Sequence, residues 1–179
     1  MRFPIIAAAL VAASPAWAQL CDDENGTLQA RSKLIGEVAG TLATNMAKIE
    51  TVPPDTAAYI DREKDAAMKQ HNRARFNLVL NNPFYKAHQV QTHYKVVQEN
   101  LEAARTAKKV ADQIVYLSVV ISRYGDLAEA LSAYYDYDAS RPQRVLGSEG
   151  IQDVSFAVAF SKSAFLETLQ CGVRQMREP

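Results

Sequence analysis

The chain has 179 residues, of which 48% are hydrophobic, and its 20 basic and 20 acidic side chains give a formal net charge of zero. A neutral chain exerts no long-range attraction on nucleic acid or anionic lipid, so we expect neither as a partner. The length fits a single domain.

The first 18 residues have the organisation of a cleavable secretory signal peptide. Arg2 supplies a positive charge, residues 5–13 form an apolar run, and residues 16–18 read Ala-Trp-Ala, which suits a cleavage site. The apolar run is too short to cross a bilayer core, so we expect it to be removed rather than kept as a membrane span. Residues 19–179 would then form a single all-helical domain that is periplasmic or secreted.

Two cysteines, Cys21 and Cys171, lie at opposite ends of the expected mature domain. An even number of cysteines in an oxidising compartment predicts a disulfide, which would tie the termini together. Two free thiols or a metal site are the alternatives, although two cysteines alone make a poor metal-ligand set. Acylation of Cys21 in a lipoprotein is a further alternative, but Leu20 is larger than the small residue that normally precedes such a cysteine.

Glycine and proline are scarce and lie between segments rich in good helix formers, which favours helices throughout. A first helix is predicted over residues 27–50, where apolar residues recur at every seventh position from Leu28 to Ile49. After a Val-Pro-Pro break, a second helix is predicted over residues 55–80, packed antiparallel against the first. Its predicted inner face carries Ile60, Ala67, His71, Ala74 and Leu78.

A third helix is predicted to begin at Pro83, with an apolar stripe that extends to Gly125 unless a hidden break interrupts it. Residues 114–121 within it are almost entirely apolar on all sides, so we expect them to be buried centrally. Asp126 resembles the N-cap of a short fourth helix that ends near Tyr137.

Residues 138–147 are the best loop candidate, and Ser148 can cap a fifth helix that ends near Met176. Together these segments predict an all-α fold, an elongated antiparallel helical bundle of about four to five helices with its termini tied by a disulfide. The inner face of the fifth helix is predicted to carry Ile151, Val154, Val158, Phe165 and Leu169, widened by Phe156 and Phe160.

The motifs of common catalytic and cofactor sites are absent from the sequence. It has no Cys-x-x-Cys-His for haem, no Glu-x-x-His for a di-iron site, no His-Glu-x-x-His for zinc and no glycine-rich phosphate loop. His88 and His93 are five positions apart, about 140° around a helix, so they cannot chelate one ion from a regular helix. We therefore predict no catalytic residue, no metal site and no cofactor, and we favour a non-enzymatic protein.

A segment rich in tyrosine and arginine stands out at the end of the predicted fourth helix. Tyr134, Tyr135 and Tyr137 are interspersed with aspartates and lead to Arg141 and Arg144, a composition that is enriched at protein interfaces. The alternative is that the tyrosines close the end of the bundle with their hydroxyls in water. We predict that these five residues bind a partner.

These patterns favour an exported scaffold that binds another protein, such as an inhibitor or immunity protein, a secretion or pilus apparatus component, or a chaperone. A small-molecule or metal carrier that uses the bundle interior, and a hydrolase with a dispersed site, are the alternatives. A polar cluster facing a cavity between helices would favour either alternative, whereas a solid apolar core would count against both.

Overall fold

The computed structural model describes residues 27–177, and every regular element in this range is an α-helix. The all-α class predicted from the sequence is therefore confirmed. The described chain forms six helices, more than the number expected. They are α1 (Leu28–Met46), α2 (Pro54–Lys69), α3 (Arg73–Leu80), α4 (Tyr85–Thr106), α5 (Val110–Ala139) and α6 (Ser148–Arg177).

Helices α1, α4, α5 and α6 form a four-helix bundle in which each helix packs on two neighbours. α1 and α5 each pack on both α4 and α6. The Gln91 amide near the start of α4 donates to the Glu50 carbonyl just after α1 (2.9 Å). Lys48, also just after α1, pairs with Asp153 near the start of α6 (2.7 Å). Both neighbours of α1 are therefore antiparallel to it, as expected for such a bundle.

The core of the bundle consists of side chains that recur at helical spacing on the facing sides of these helices. On α1, Ile35, Val38 and Leu42 are removed almost completely from solvent. Tyr124 on α5 and Phe165 on α6 are both buried, with ring centroids 6.4 Å apart. Burial of each large apolar side chain contributes about 1.5–3 kcal/mol before conformational entropy is counted. The core thus holds the four long helices together.

The segment predicted as one second helix, residues 55–80, consists of two helices, α2 and α3, which pack on each other. The expected antiparallel packing of the first two helices is wrong, because the main packing partners of α1 are α4 and α6. The inner face predicted for residues 55–80 is buried only along α2. Its members Ile60 and Ala67 are buried, whereas the others, His71, Ala74 and Leu78, are exposed.

The break between α2 and α3 is a Schellman turn centred on His71. The backbone amide of Asn72 donates to the carbonyl of Ala67 (2.9 Å), and that of His71 donates to the carbonyl of Met68 (3.2 Å). His71 has a φ of 49°, in the left-handed region. Glycine usually occupies this position because it has no Cβ to clash there, and a histidine gives no such signal in the sequence.

The boundaries of the predicted third and fourth helices are also wrong. The hidden break exists at residues 107–109, between α4 and α5. α5 then continues through Gly125 to Ala139, so Asp126 does not cap a helix but accepts a hydrogen bond from Arg123 within one (3.1 Å). A glycine inside a helix costs about 1 kcal/mol relative to alanine, and the packing of α5 on two neighbours outweighs that cost.

Two apolar segments are less buried than expected. Within residues 114–121, Leu117 and Val120 face the core, but Val115 is 60% exposed. On α6, Phe156 is 67% exposed rather than part of the inner face. Both helices lie at the surface of the bundle with one inward stripe, so side chains on their outer sides reach solvent whatever their polarity.

Two of the sequence-based predictions concern residues outside the described part of the chain. The predicted signal peptide, residues 1–18, lies there, and so does Cys21. Cys171 lies on α6 and is buried. The disulfide and the signal peptide therefore stay predictions.

Candidate functional site

The predicted partner-binding residues lie at the end of the bundle where α5 leads to α6. The predicted loop is present there, because α5 ends at Ala139 and α6 begins at Ser148. The five residues share this end of the fold but differ in exposure. Tyr134 is fully buried, Arg144 is exposed, and an intermediate exposure is found for Tyr135, Tyr137 and Arg141.

Arg141 is bound by Glu50, which follows α1 in the chain. Its guanidinium donates two hydrogen bonds to the Glu50 carboxylate, at 2.8 and 3.2 Å, in the bidentate geometry that strengthens such pairs. It also lies 5.5 Å from the ring centroid of Tyr137, a cation–π distance. The bonded carboxylate raises the pKa of the Arg141 guanidinium above its ordinary value. The pair therefore ties the loop to the end of α1.

A buried carboxylate holds the other half of the loop. Asp138 lies in the last turn of α5, and its two oxygens accept hydrogen bonds from the backbone amides of Val145 (2.9 Å) and Leu146 (3.0 Å). The guanidinium of Arg141 lies 3.9 Å from the same buried carboxylate. Leu146 is itself buried. The Asp138 side chain therefore sets the path of the backbone just before α6.

Tyr134 belongs to the packing of the bundle rather than to its surface. Its hydroxyl accepts a weak hydrogen bond from the backbone amide of Glu50 (3.4 Å), and burial raises its pKa to about 12. The ring has no exposed surface in the described structure, which gives a partner nothing of this side chain to touch unless the bundle end rearranges, and its role in binding stays a prediction. Tyr134 follows the buried Leu131 by three positions, which places both on the inward side of α5.

The loop presents Arg144 and Val145 to solvent. Val145 is 44% exposed, and no acidic side chain of the described residues lies within ion-pair distance of Arg144. The sequence pattern pointed to Arg144 but missed Val145 and the two carboxylates that hold the loop. In the sequence, Asp138 is one of several aspartates among tyrosines, and nothing marks it as the one that binds the loop backbone. Nothing local links Glu50 to a loop 91 residues later.

A groove of about 450 Å³ lies between α5 and α6, and Tyr135 is part of its lining. Within residues 27–177, Lys162 is the only charged residue of its lining. A volume of this size lies within the range of small-molecule sites. Much of the remaining lining is small or apolar, and includes Gly125, Ala128, Ser132, Ser155, Val158 and Ala159.

Two tyrosine hydroxyls beside this groove are buried without a completed hydrogen bond. The hydroxyl of Tyr124 lies beside Ser161 and that of Tyr135 beside Ser155, but neither tyrosine completes a hydrogen bond of good geometry within the described residues. Burial raises the pKa of both phenols, so both are neutral at physiological pH.

The three histidines do not gather into a site. A ring nitrogen of His88 lies 2.8 Å from the Asp61 carboxylate and links α4 to α2, whereas His71 lies in the turn after α2 and His93 lies on α4. Across the described helices and loops, no three side chains of His, Cys, Asp or Glu are arranged to hold a metal ion. None of the helices in residues 27–177 offers an apolar stretch long enough to span a membrane.

The chain was compared with protein-family models, with curated proteins and with solved structures, and none of the three comparisons found a significant match. A functional assignment therefore depends on the loop and the groove themselves.

Proposed function

We propose that the chain is an exported, non-enzymatic helical scaffold that binds another protein through the tip of the 140–147 loop. An inhibitor or immunity protein, a secretion or pilus apparatus component and a chaperone all share this mode of action. Export is supported by the charged start, apolar run and small residues of positions 1–18. Residues 19–179 would then act in the periplasm or outside the cell.

The observation that carries the proposal is a loop held at both ends while its tip stays exposed. Arg141 binds Glu50, and Asp138 binds two loop amides, so charged hydrogen bonds order the backbone before any partner arrives. Binding to a pre-ordered loop avoids an entropy loss of roughly 0.5–1.5 kcal/mol for each side chain that would otherwise be immobilised. The tip combines a cation, Arg144, with an apolar side chain, Val145. The loop tip therefore fits a partner surface that has a carboxylate beside a small apolar pocket.

We also propose the disulfide between Cys21 and Cys171. The Arg31 guanidinium near the start of α1 donates to the Gln175 side chain near the end of α6, so these two helix ends are adjacent. Cys171 precedes Gln175 by one helical turn, and Cys21 precedes α1 by only a few residues. Mass spectrometry of the periplasmic protein without reductant should find the two cysteines linked. Two free thiols in that protein would overturn the disulfide.

Binding at the loop tip can be tested with the mature domain and a periplasmic extract. Proteins recovered by pull-down are identified, and their affinity for the purified domain is measured. Arg144→Glu should weaken that affinity about tenfold or more, because it reverses the exposed charge without removing the contacts that hold the loop. Arg73→Glu, at an exposed position on α3, is the matched control and should leave the affinity unchanged.

The same experiment has an outcome that overturns the proposal. If wild type and the Arg144→Glu variant bind the recovered protein equally well, the loop tip is not the binding surface. Replacement of the tyrosines is a poorer test, because Tyr134 is a core residue and its loss would destabilise the whole bundle.

A further inference from the structure

We propose that the groove between α5 and α6 binds a small amphipathic carboxylate, with the apolar body along the groove and the carboxylate on Lys162. The site does not include the exposed residues of the loop tip, and it can exist whether or not the loop binds a protein. It is a surface groove rather than the bundle interior.

The space in the groove results from small residues on facing helices. Gly125 and Ala128 on α5 and Ala159 on α6 are exposed, and a Cβ added at Gly125 would meet nothing within 4 Å. Along α5 the lining extends from Tyr124 to Tyr135. This is about 16 Å at 1.5 Å per residue. A long and largely apolar lining suits an extended hydrocarbon body better than a compact polar ligand.

The charge at the groove selects an anion. Among the described side chains, Lys162 is the only charged one in the lining, and no carboxylate pairs with its ammonium. Its exposed position lets a bound carboxylate keep part of its hydration, so pairing does not require full desolvation. Leu166 follows Lys162 by four positions and is 39% exposed, which extends the apolar wall past the ammonium.

Exposed hydroxyls add hydrogen-bond donors to the groove. Ser132 and Ser155 belong to the lining and are both exposed. An oxygen of the ligand can accept a hydrogen bond from either hydroxyl, whereas a pure hydrocarbon cannot.

Titration of the mature protein with decanoate, followed by amide NMR, tests the proposal. Decanoate should bind saturably, with shift changes centred on Ala128, Val158 and Ala159. Decanol has the same chain without the charge and should bind about fivefold more weakly, the difference expected for an exposed ion pair. Lys162→Gln should reduce decanoate to the affinity of decanol, and Lys162→Arg should retain it. Lys108→Gln, an exposed lysine in the turn before α5, is the control that should change nothing.

A second variant locates the ligand. Ala159→Leu should fill the groove and abolish binding of both probes, with an unchanged helical circular dichroism spectrum showing that the protein is folded. Binding retained in this variant would overturn the proposal, as would equal affinities of decanoate and decanol, no effect of Lys162→Gln, or no saturable binding. If an acidic amphipathic peptide binds in a Lys162-dependent manner and decanoate does not, the groove accepts a protein segment and the proposal is likewise wrong.

Discussion

The guanidinium of Arg141 and the carboxylate of Glu50 join the loop after α5 to the end of α1 through two hydrogen bonds, at 2.8 and 3.2 Å. The residues are 91 positions apart and meet because α1 and α5, both antiparallel to α6, run in the same direction and end together. Asp138 holds the other half of the same loop. This end of the bundle is therefore ordered by charged side chains rather than by apolar packing alone.

Loss of the Arg141 side chain should destabilise the protein measurably. In Arg141→Ala the partly buried Glu50 carboxylate loses both hydrogen bonds, and the free energy of unfolding should fall by about 1–2 kcal/mol. Arg123→Ala removes an exposed pair with Asp126 and should cost less than about 0.5 kcal/mol. Urea denaturation measures both. Equal changes would show that the Arg141 pair does not hold the loop.

Removal of the Asp138 carboxylate should lower the free energy of unfolding more than removal of the Arg141 side chain. Asp138→Ala leaves the amides of Val145 and Leu146 without acceptors, so we expect a loss of roughly 3 kcal/mol and faster hydrogen exchange at both amides. Asp136→Ala, an exposed aspartate in the same turn, should stay within about 0.5 kcal/mol of wild type. Unchanged exchange in the Asp138 variant would contradict this account of the loop.

Alkaline pH should destabilise the fold through Tyr134. Burial raises its pKa from 10.0 to about 12 in the folded protein, so the folded state holds the phenol proton more tightly than the unfolded chain. The resulting stabilisation is fully present below pH 10 and is lost as the pH rises towards 12. Denaturation across this range should show a smaller loss in Tyr134→Phe than in wild type. Ultraviolet titration showing Tyr134 ionised near pH 10 in the folded protein would refute the prediction.

A glycine at position 71 should stabilise the turn between α2 and α3. His71 has a φ of 49°, and His71→Gly should raise the free energy of unfolding by about 0.5–1 kcal/mol by relieving the clash of its Cβ. His71→Ala keeps the Cβ and should give no such gain. Thermal or urea unfolding distinguishes the two variants. A gain in the alanine variant equal to that in the glycine variant would mean that the backbone is not strained there.

Replacement of two glycines by alanine should change the free energy of unfolding in opposite directions. Gly125 lies inside α5 with open space around its Cα, so Gly125→Ala should raise the free energy of unfolding by about 0.5–1 kcal/mol. At Gly172 an added Cβ would lie 3.0 Å from Cγ1 of Ile114, so Gly172→Ala should destabilise the contact of α5 with α6. Urea denaturation measures both. Destabilisation by Gly125→Ala would instead favour a helix break at Gly125.

Features that depend on a few neighbouring residues were predicted well. The apolar spacing of Ile35 and Leu42 predicted their burial on α1, and the polar segment after Ala139 was recognised as a loop. Helix boundaries were harder, because tertiary packing carries α5 through Gly125 and a histidine occupies the turn position at His71. At the proposed site, arginine and tyrosine composition singled out the loop after α5, whose role in binding stays a prediction. It did not separate the buried Tyr134 from exposed residues.

The sequence by itself determined the all-α class, because helical hydrogen bonds and apolar periodicity are properties of residues at most four positions apart. Only the tertiary structure decided which side chains meet. Arg141 reaches Glu50, and Tyr135 lines a groove with Lys162, because of the order and direction in which the helices pack. The hydrophobic effect drives that packing without direction or sequence specificity, so no local pattern names the partner of a given residue.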